Sequence, residues 1–183
     1  MPWFAGVRPV FATWLQREQP DGRGRRAAVV GCGLGDDAEA LAALGFAVTA
    51  FDIAPSAVAW CKERFPQSSV EYVVADLFAL PTAWRHAFDF VLEIFTIQSL
   101  PVKLRKPTID AIATLVAPGG ELLVIAVPAE PGERRVLGPP WPLTRPEIDH
   151  FQTAGLQELN FEALDISRQH TAPKWRAYYQ RRK

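Results

Sequence analysis

The 183-residue sequence has little that would tie it to a membrane, a metal framework or a polyanion. Its Lys plus Arg and Asp plus Glu counts are equal at 20 each, and this balance argues against a non-specific nucleic-acid or anionic-membrane surface. There are two cysteines, Cys32 and Cys61, and no Cys-x-x-Cys pair. That spacing suggests neither a zinc site nor a disulfide framework, so both are expected to be reduced and structural, as in a cytoplasmic protein. No apolar run approaches the roughly 18 residues of a membrane span, and no basic stretch followed by an apolar run marks a signal peptide at the start. The terminal Arg181-Arg182-Lys183 reads as a solvated tail.

What is present is a core and a repeating pattern. Hydrophobic residues make up 49%, enough for one domain of ordinary size. Apolar, β-rich runs at 27–30, 47–53, 70–75, 88–95 and 121–127 alternate with helical runs at 36–44, 55–65 and 107–116. The runs are nearly continuous in Val, Ile, Leu, Ala and Phe, the pattern of strands buried on both faces. Alternation at this spacing implies right-handed crossovers and an open, doubly wound α/β sheet. Two further strands, 156–164 and 174–180, are joined by a polar loop and are expected to form an antiparallel edge pair. Residues 7–18 look like an amphipathic helix within an N-terminal helical segment over 1–20. The stretch 128–146 is rich in proline and reads as a stiffened functional loop. Thr144-Arg145-Pro146-Glu147 is a capping box that starts a helix ending near Ala154. The whole chain, 1–183, is one domain.

One turn carries chemistry. Val30-Gly31-Cys32-Gly33-Leu34-Gly35-Asp36-Asp37 joins the first strand to a helix, and Asp52 closes the second strand 21 residues after Gly31. Glycines allow a sharp turn and close approach of a ligand. An acid at the end of the second strand can accept both ribose hydroxyls of an adenosine. A dinucleotide fingerprint would need a third glycine where Asp36 stands. Asp36 and Asp37 suit a helix start but should repel a pyrophosphate. They fit a ligand that carries an ammonium or a sulfonium. An NAD-dependent oxidoreductase and a non-catalytic cofactor-binding module remain the alternatives.

In these features the chain resembles the Rossmann-like S-adenosylmethionine-dependent methyltransferases. The matching elements are the glycine turn at 31–35, Asp52, Ala75-Asp76-Leu77, Phe88-Asp89-Phe90-Val91 and Ala117-Pro118-Gly119-Gly120. The resemblance implies a seven-stranded, mostly parallel sheet in three αβα layers with an antiparallel edge hairpin. It implies that Gly31, Cys32 and Gly33 lie beside the methionine part of S-adenosylmethionine. It places Asp52 and Ile53 at the ribose, Asp76 and Leu77 at the adenine, and Glu93 facing cofactor or acceptor. Pro2-Trp3-x-x-Gly6-x-x-Pro9 and Gly138-Pro139-Pro140-Trp141 are similar to the thiopurine and thiol methyltransferase branch. That similarity implies Trp3 over the cofactor and Pro140 and Trp141 at the acceptor. Where many members of the branch have Asp-Arg, this chain has Glu93-Ile94, so the Arg is absent.

The expected activity is methyl transfer to a small molecule by in-line displacement, which asks mostly for alignment and exclusion of water. A hydroxyl acceptor would need a base. His86, His150 and His170 are weak candidates and Glu93 a better one for contact with a reacting group, so a thiol or other soft acceptor is the simpler expectation. Trp14 and Trp60 fall on helical runs and are expected in the core.

Overall fold

A computed structural model describes residues 6–129, 138–164 and 173–183. Its described residues form a seven-stranded sheet in the order β3-β2-β1-β4-β5-β7-β6. The elements in chain order are α1 (Pro9–Glu18), β1 (Arg26–Val30), α2 (Asp36–Ala43), β2 (Ala47–Asp52), α3 (Pro55–Arg64), β3 (Glu71–Val74), β4 (Phe88–Ile94), α4 (Arg105–Leu115), β5 (Val116–Ala126), α5 (Arg145–Ile148), α6 (His150–Thr153), β6 (Leu156–Leu164) and β7 (Lys174–Arg181). The first five strands are parallel, and β7 runs antiparallel between β5 and β6. The doubly wound sheet with an antiparallel edge pair is therefore present as expected.

Two apolar cores cover the two faces. One joins α1, α2 and α3 to the sheet through Phe11, Trp14, Leu41, Val58 and Phe90. The other joins α4, α5 and α6 through Ile109, Ile112, Phe151, Val91 and Tyr179. Strands β1 and β4 alternate their side chains between these cores, which is why 27–30 and 90–92 are continuously apolar. Each fully buried Leu or Ile contributes roughly 1.5–3 kcal/mol.

Three features differ from the sequence reading. Trp60 is 58% exposed. The buried face of α3 is carried by Val58 and Cys61, three residues apart, and Trp60 points off that stripe. Arg181 is not part of a solvated tail, because its guanidinium donates to Val116 O and Ala113 O and closes the C-terminal end of α4. Strand β5 starts at Val116, five residues before the expected Glu121, and its register against β4 shifts between Phe88 and Phe90. Gly120 allows this irregularity, since a Cβ there would stand 2.8 Å from Phe88 O.

Strand order reverses between β1 and β4. Crossovers leave on opposite sides there, and a crevice opens beyond the carboxyl ends of the two strands.

Candidate functional site

The glycine turn caps β1 at this crevice. Gly31, Gly33 and Gly35 have φ values of 60°, 56° and 88°, a region that L side chains rarely adopt. Packing explains two of these glycines directly. A Cβ on Gly31 would lie 2.5 Å from Thr96 Oγ1, and one on Gly35 would lie 2.6 Å from the Tyr72 hydroxyl. Protein neighbours as well as any ligand therefore demand glycine here. Cys32 is buried, and its amide donates to Phe51 O, so only its backbone borders the crevice. Burial pushes its thiol pKa far up, and the thiol of Cys61 donates to Gly33 O beneath the turn. The two cysteines are free and buried, as expected.

Asp52 ends β2 beside that turn. One carboxylate oxygen accepts the Gly33 amide at 3.1 Å, and the other accepts the Ala54 amide at 3.0 Å. Asp52 thereby ties the glycine turn to the start of α3. A carboxylate offers about four lone-pair sites, so acceptor capacity remains on both oxygens. Ile53, next in the chain, is 65% exposed. Asp52 pairs in register with Val74, which places the end of β3 alongside. Asp76, two residues on, is exposed and accepts the Phe78 amide at 2.9 Å. Leu77 packs partly into the core on the α4 side, whereas Phe78 is 46% exposed. Sequence reasoning named Leu77 and missed Phe78. The signal was the aromatic immediately following Asp76-Leu77.

Asp36 and Asp37 do not face a ligand as unpaired charges. The Arg64 guanidinium donates to both oxygens of Asp36, at 2.8 and 2.9 Å, and holds that carboxyl below its usual range against the opposing effect of burial. Asp37 is 5% exposed and accepts the amide and guanidinium of Arg8. Their charge is spent inside the protein, so repulsion of a pyrophosphate is not the reason for cofactor choice. Arg8 and Arg64 lie far from these acids in sequence and gave no local signal.

Glu93 lies in β4, paired with Val30 on one side and Val124 on the other. It is fully buried. One oxygen accepts the amides of Thr96 and Ile97, at 2.6 and 3.0 Å, and the other has no hydrogen-bond partner. Thr96 in turn donates its hydroxyl to Val30 O, the residue before Gly31. Phe95 between them adopts φ 64°, a left-handed conformation that costs an aromatic residue energy and is found where surroundings enforce it. Burial pushes the Glu93 carboxyl up to about 7, opposed by the two amides and by Arg8 and Arg105. The folded state therefore holds a proton that an unfolded glutamate loses near pH 4.3. Stability from this group is complete below that value and is lost as pH rises through about 7. Glu93→Gln keeps the acceptor for both amides and removes the titration. Its melting temperature relative to wild type should thus rise between pH 5 and pH 8; a gap independent of pH would refute the assignment.

Trp141 and Pro140 stand on the returning arm of the Pro-rich segment. Pro140 is exposed and Trp141 half-buried. The Trp141 amide donates to Gln98 O at 2.7 Å, which places this residue against the turn that follows Glu93. Leu143 is fully buried and exchanges backbone hydrogen bonds with Val127 and Ala129, closing the segment onto the end of β5. The capping box at Thr144 and Glu147 is present. Its helix breaks at Asp149 into two short pieces. Trp3, His170 and residues 130–137 lie outside the described residues. His86 precedes β4, at the strand end opposite Glu93, and its ring contacts Val116 O. His150 pairs with Asp110 on the flank of α4. Neither belongs to the crevice. The structure thus places Gly31, Cys32, Gly33, Asp52, Ile53, Asp76, Leu77, Glu93 and Trp141 at or just beyond the carboxyl ends of the parallel strands.

Comparison with known proteins points the same way. The sequence profile of a family described as a methyltransferase domain matches residues 28–120. Ubiquinone biosynthesis O-methyltransferase of Azotobacter vinelandii is 32% identical over 127 residues, covering 68% of this chain and 53% of that protein. Probable thiol methyltransferase 2 of Arabidopsis thaliana is 29% identical over 171 residues, covering 90% of this chain and 70% of that protein. The chain spans about half the length of its ubiquinone-pathway relatives, or less. A crystal structure of an S-adenosylmethionine-dependent methyltransferase from Methanosarcina mazei superposes with a TM-score of 0.76 at 17% identity, covering 97% of this chain and 99% of that one. The 1,6-didemethyltoxoflavin-N1-methyltransferase of Burkholderia thailandensis, solved with its substrate and S-adenosylhomocysteine, gives 0.75 at 18% identity, covering 98% and 79%. At these identities the two structures establish likeness of fold.

Proposed function

We propose that this chain, which belongs to the class I S-adenosylmethionine-dependent methyltransferase family, transfers the cofactor's methyl group to a small-molecule acceptor with a soft nucleophile. The observation that carries this reading is Asp52, tied to the Gly33 amide at the β1–β4 crevice and keeping acceptor capacity on both oxygens. Family membership decides against the oxidoreductase alternative.

Bound there, the cofactor would supply an electrophilic methyl on a sulfonium. Asp52 would accept the ribose hydroxyls and Asp76 the adenine amino group. Ile53, just past β2, and Phe78, in the turn after β3, are exposed apolar side chains that a planar base would cover. The backbone of Gly31, Cys32 and Gly33 would border the methionine part. Glu93, buried with one oxygen unpartnered, suits a cationic neighbour, and its contribution is to hold the turn that faces the reacting groups. Trp3 is assigned to the cofactor's cover by resemblance alone. Pro140 and Trp141 would wall the acceptor, since their segment starts at the carboxyl end of β5 and returns to the turn after Glu93. Neither described histidine reaches the crevice, which favours an acceptor that needs no strong base.

No described helix is long and apolar enough to cross a membrane. The finer reading, a cytoplasmic enzyme, rests on the two free thiols.

The deciding experiment measures S-adenosylhomocysteine release across a panel of thiols, halides, phenols and amines, alongside thermal-shift titration. S-adenosylmethionine should raise the melting temperature and NAD should not. Stabilisation by NAD alone, with no turnover of any acceptor, would overturn the reading. Within it, Trp141→Ala should raise KM for the acceptor roughly five- to thirty-fold, the loss of about 1–2 kcal/mol of apolar contact, with cofactor affinity little changed. Wild-type kinetics in a folded Trp141→Ala variant would place the acceptor wall elsewhere.

A further inference from the structure

The connection from β4 to α4 does more than cap a strand. Glu93 fixes the amides of Thr96 and Ile97, and the Ser99 hydroxyl donates to Phe95 O at 2.8 Å. The short 3-10 turn Ile97–Ser99 is thus locked from both ends. Its central residue, Gln98, is 2% exposed. The Gln98 side-chain oxygen accepts the Val127 amide at 2.8 Å, where the Pro-rich segment departs. Its backbone carbonyl accepts the Trp141 amide at 2.7 Å, where that segment returns. Arg105, the first residue of α4, is 4% exposed. Its guanidinium donates to Trp141 O at 2.6 Å and Pro142 O at 3.2 Å, and lies 3.7 Å from Glu147. The backbone of Trp141 is therefore held on both sides of its Cα, at the N–H by Gln98 of this connection and at the C=O by Arg105 of α4.

A buried guanidinium and a buried amide are costly ways to fill space, and apolar residues of equal volume would pack a loop more cheaply. What the polar pair adds is direction. The Gln98 side chain anchors Val127 where the segment departs, and the Gln98 backbone carbonyl and Arg105 guanidinium hold the backbone groups on either side of the Trp141 Cα, which fixes where its side chain stands. Displacement of a positioning group by about 1 Å can cost on the order of a hundred-fold in rate. We propose that Gln98 and Arg105 are positioning residues that set the place of Trp141 relative to the Glu93 end of β4, and thereby set which acceptors fit. This rests on the reading of Trp141 as acceptor wall.

The test compares Arg105→Met, which keeps an apolar shank and loses the donors, with Arg105→Lys, which restores a donor. Gln98→Leu, which loses only the side-chain acceptor for Val127, serves if Arg105→Met does not fold. Three quantities are read in each: hydrogen exchange of the 138–146 peptide, affinity for S-adenosylmethionine by calorimetry, and acceptor KM. Exchange in that peptide should quicken roughly ten-fold or more while the strands stay protected. Acceptor KM should rise roughly ten-fold with cofactor affinity within about two-fold, and Lys should recover much of both losses. Faster exchange with unchanged KM would overturn the proposal, as would unchanged exchange. Cofactor affinity falling in step with KM would make these residues general supports of the fold and would also overturn it. Failure of the underlying reading looks different, because the wild-type protein would then bind no S-adenosylmethionine and turn over no acceptor, and the proposal would fall with it.

Discussion

Replacing Asp52 by Ala should weaken S-adenosylmethionine binding by roughly ten- to over a hundred-fold. The estimate follows from losing a charge-assisted acceptor, about 1.5–3 kcal/mol. The structure gives a second reason for a large effect. Asp52 accepts the Gly33 and Ala54 amides at 3.1 and 3.0 Å, so the variant also frees the glycine turn from the start of α3. Cofactor binding must then order that turn again. Asp52→Asn keeps one acceptor oxygen and should fall between Ala and wild type. Calorimetric titration measures the affinity, and a thermal melt establishes that each variant is folded. Wild-type affinity in folded Asp52→Ala would remove Asp52 from the site.

The fold was legible because its signals are local and repeated. Continuous apolar strands between helical runs fix a two-sided sheet, and the polar junction before 174 marks the change to antiparallel pairing. The glycine turn and Asp52 were readable for the same reason, since the chain places them at adjoining strand ends by short connections. Trp60 misled because helical periodicity on α3 is weak, with only Val58 and Cys61 buried on that helix. The start of β5 misled because glycines that suggest a turn here serve a register shift within a strand.

Electrostatics were the less legible layer. Asp36 and Asp37 read from sequence as two bare charges at a helix start. Their neutralising partners, Arg64 and Arg8, come from 28 and 29 residues away, and spacing cannot reveal them. Gln98 and Arg105 were invisible for a related reason. A lone Gln in a connection and a lone Arg before a helix are ordinary surface residues until the fold buries them against Trp141. Glu93 was identifiable as the acid near the carboxyl end of an otherwise apolar run, and what the fold adds is a proton held up to about pH 7.

Trp14→Ala should be the most destabilising of the substitutions considered, at about 3–5 kcal/mol. Trp14 is 2% exposed on α1 and stacks on Phe90 of β4 with ring centroids 5.5 Å apart. It also contacts Tyr178 of β7 at 5.6 Å and Phe11 at 6.2 Å. Its loss leaves a cavity that three aromatic neighbours can only partly fill. For a domain of this size the melting temperature should fall by roughly 6–20 °C. The damage should spread to the crevice, because α1 follows directly on Arg8, whose amide and guanidinium hold Asp37 and whose charge lies over Phe95, 5.6 Å from the ring centroid. The buried contact of Arg176 with Val10 O and the exposed Arg17–Glu162 pair tie α1 to β7 and β6, but neither replaces the aromatic stack. Two measurements separate local from global loss. Hydrogen exchange should rise first in 9–18, and cofactor affinity should fall even at temperatures where the strands remain protected. A variant that melts within about 2 °C of wild type would show that α1 is dispensable to the core. One that melts low yet binds cofactor normally would separate this helix from the site.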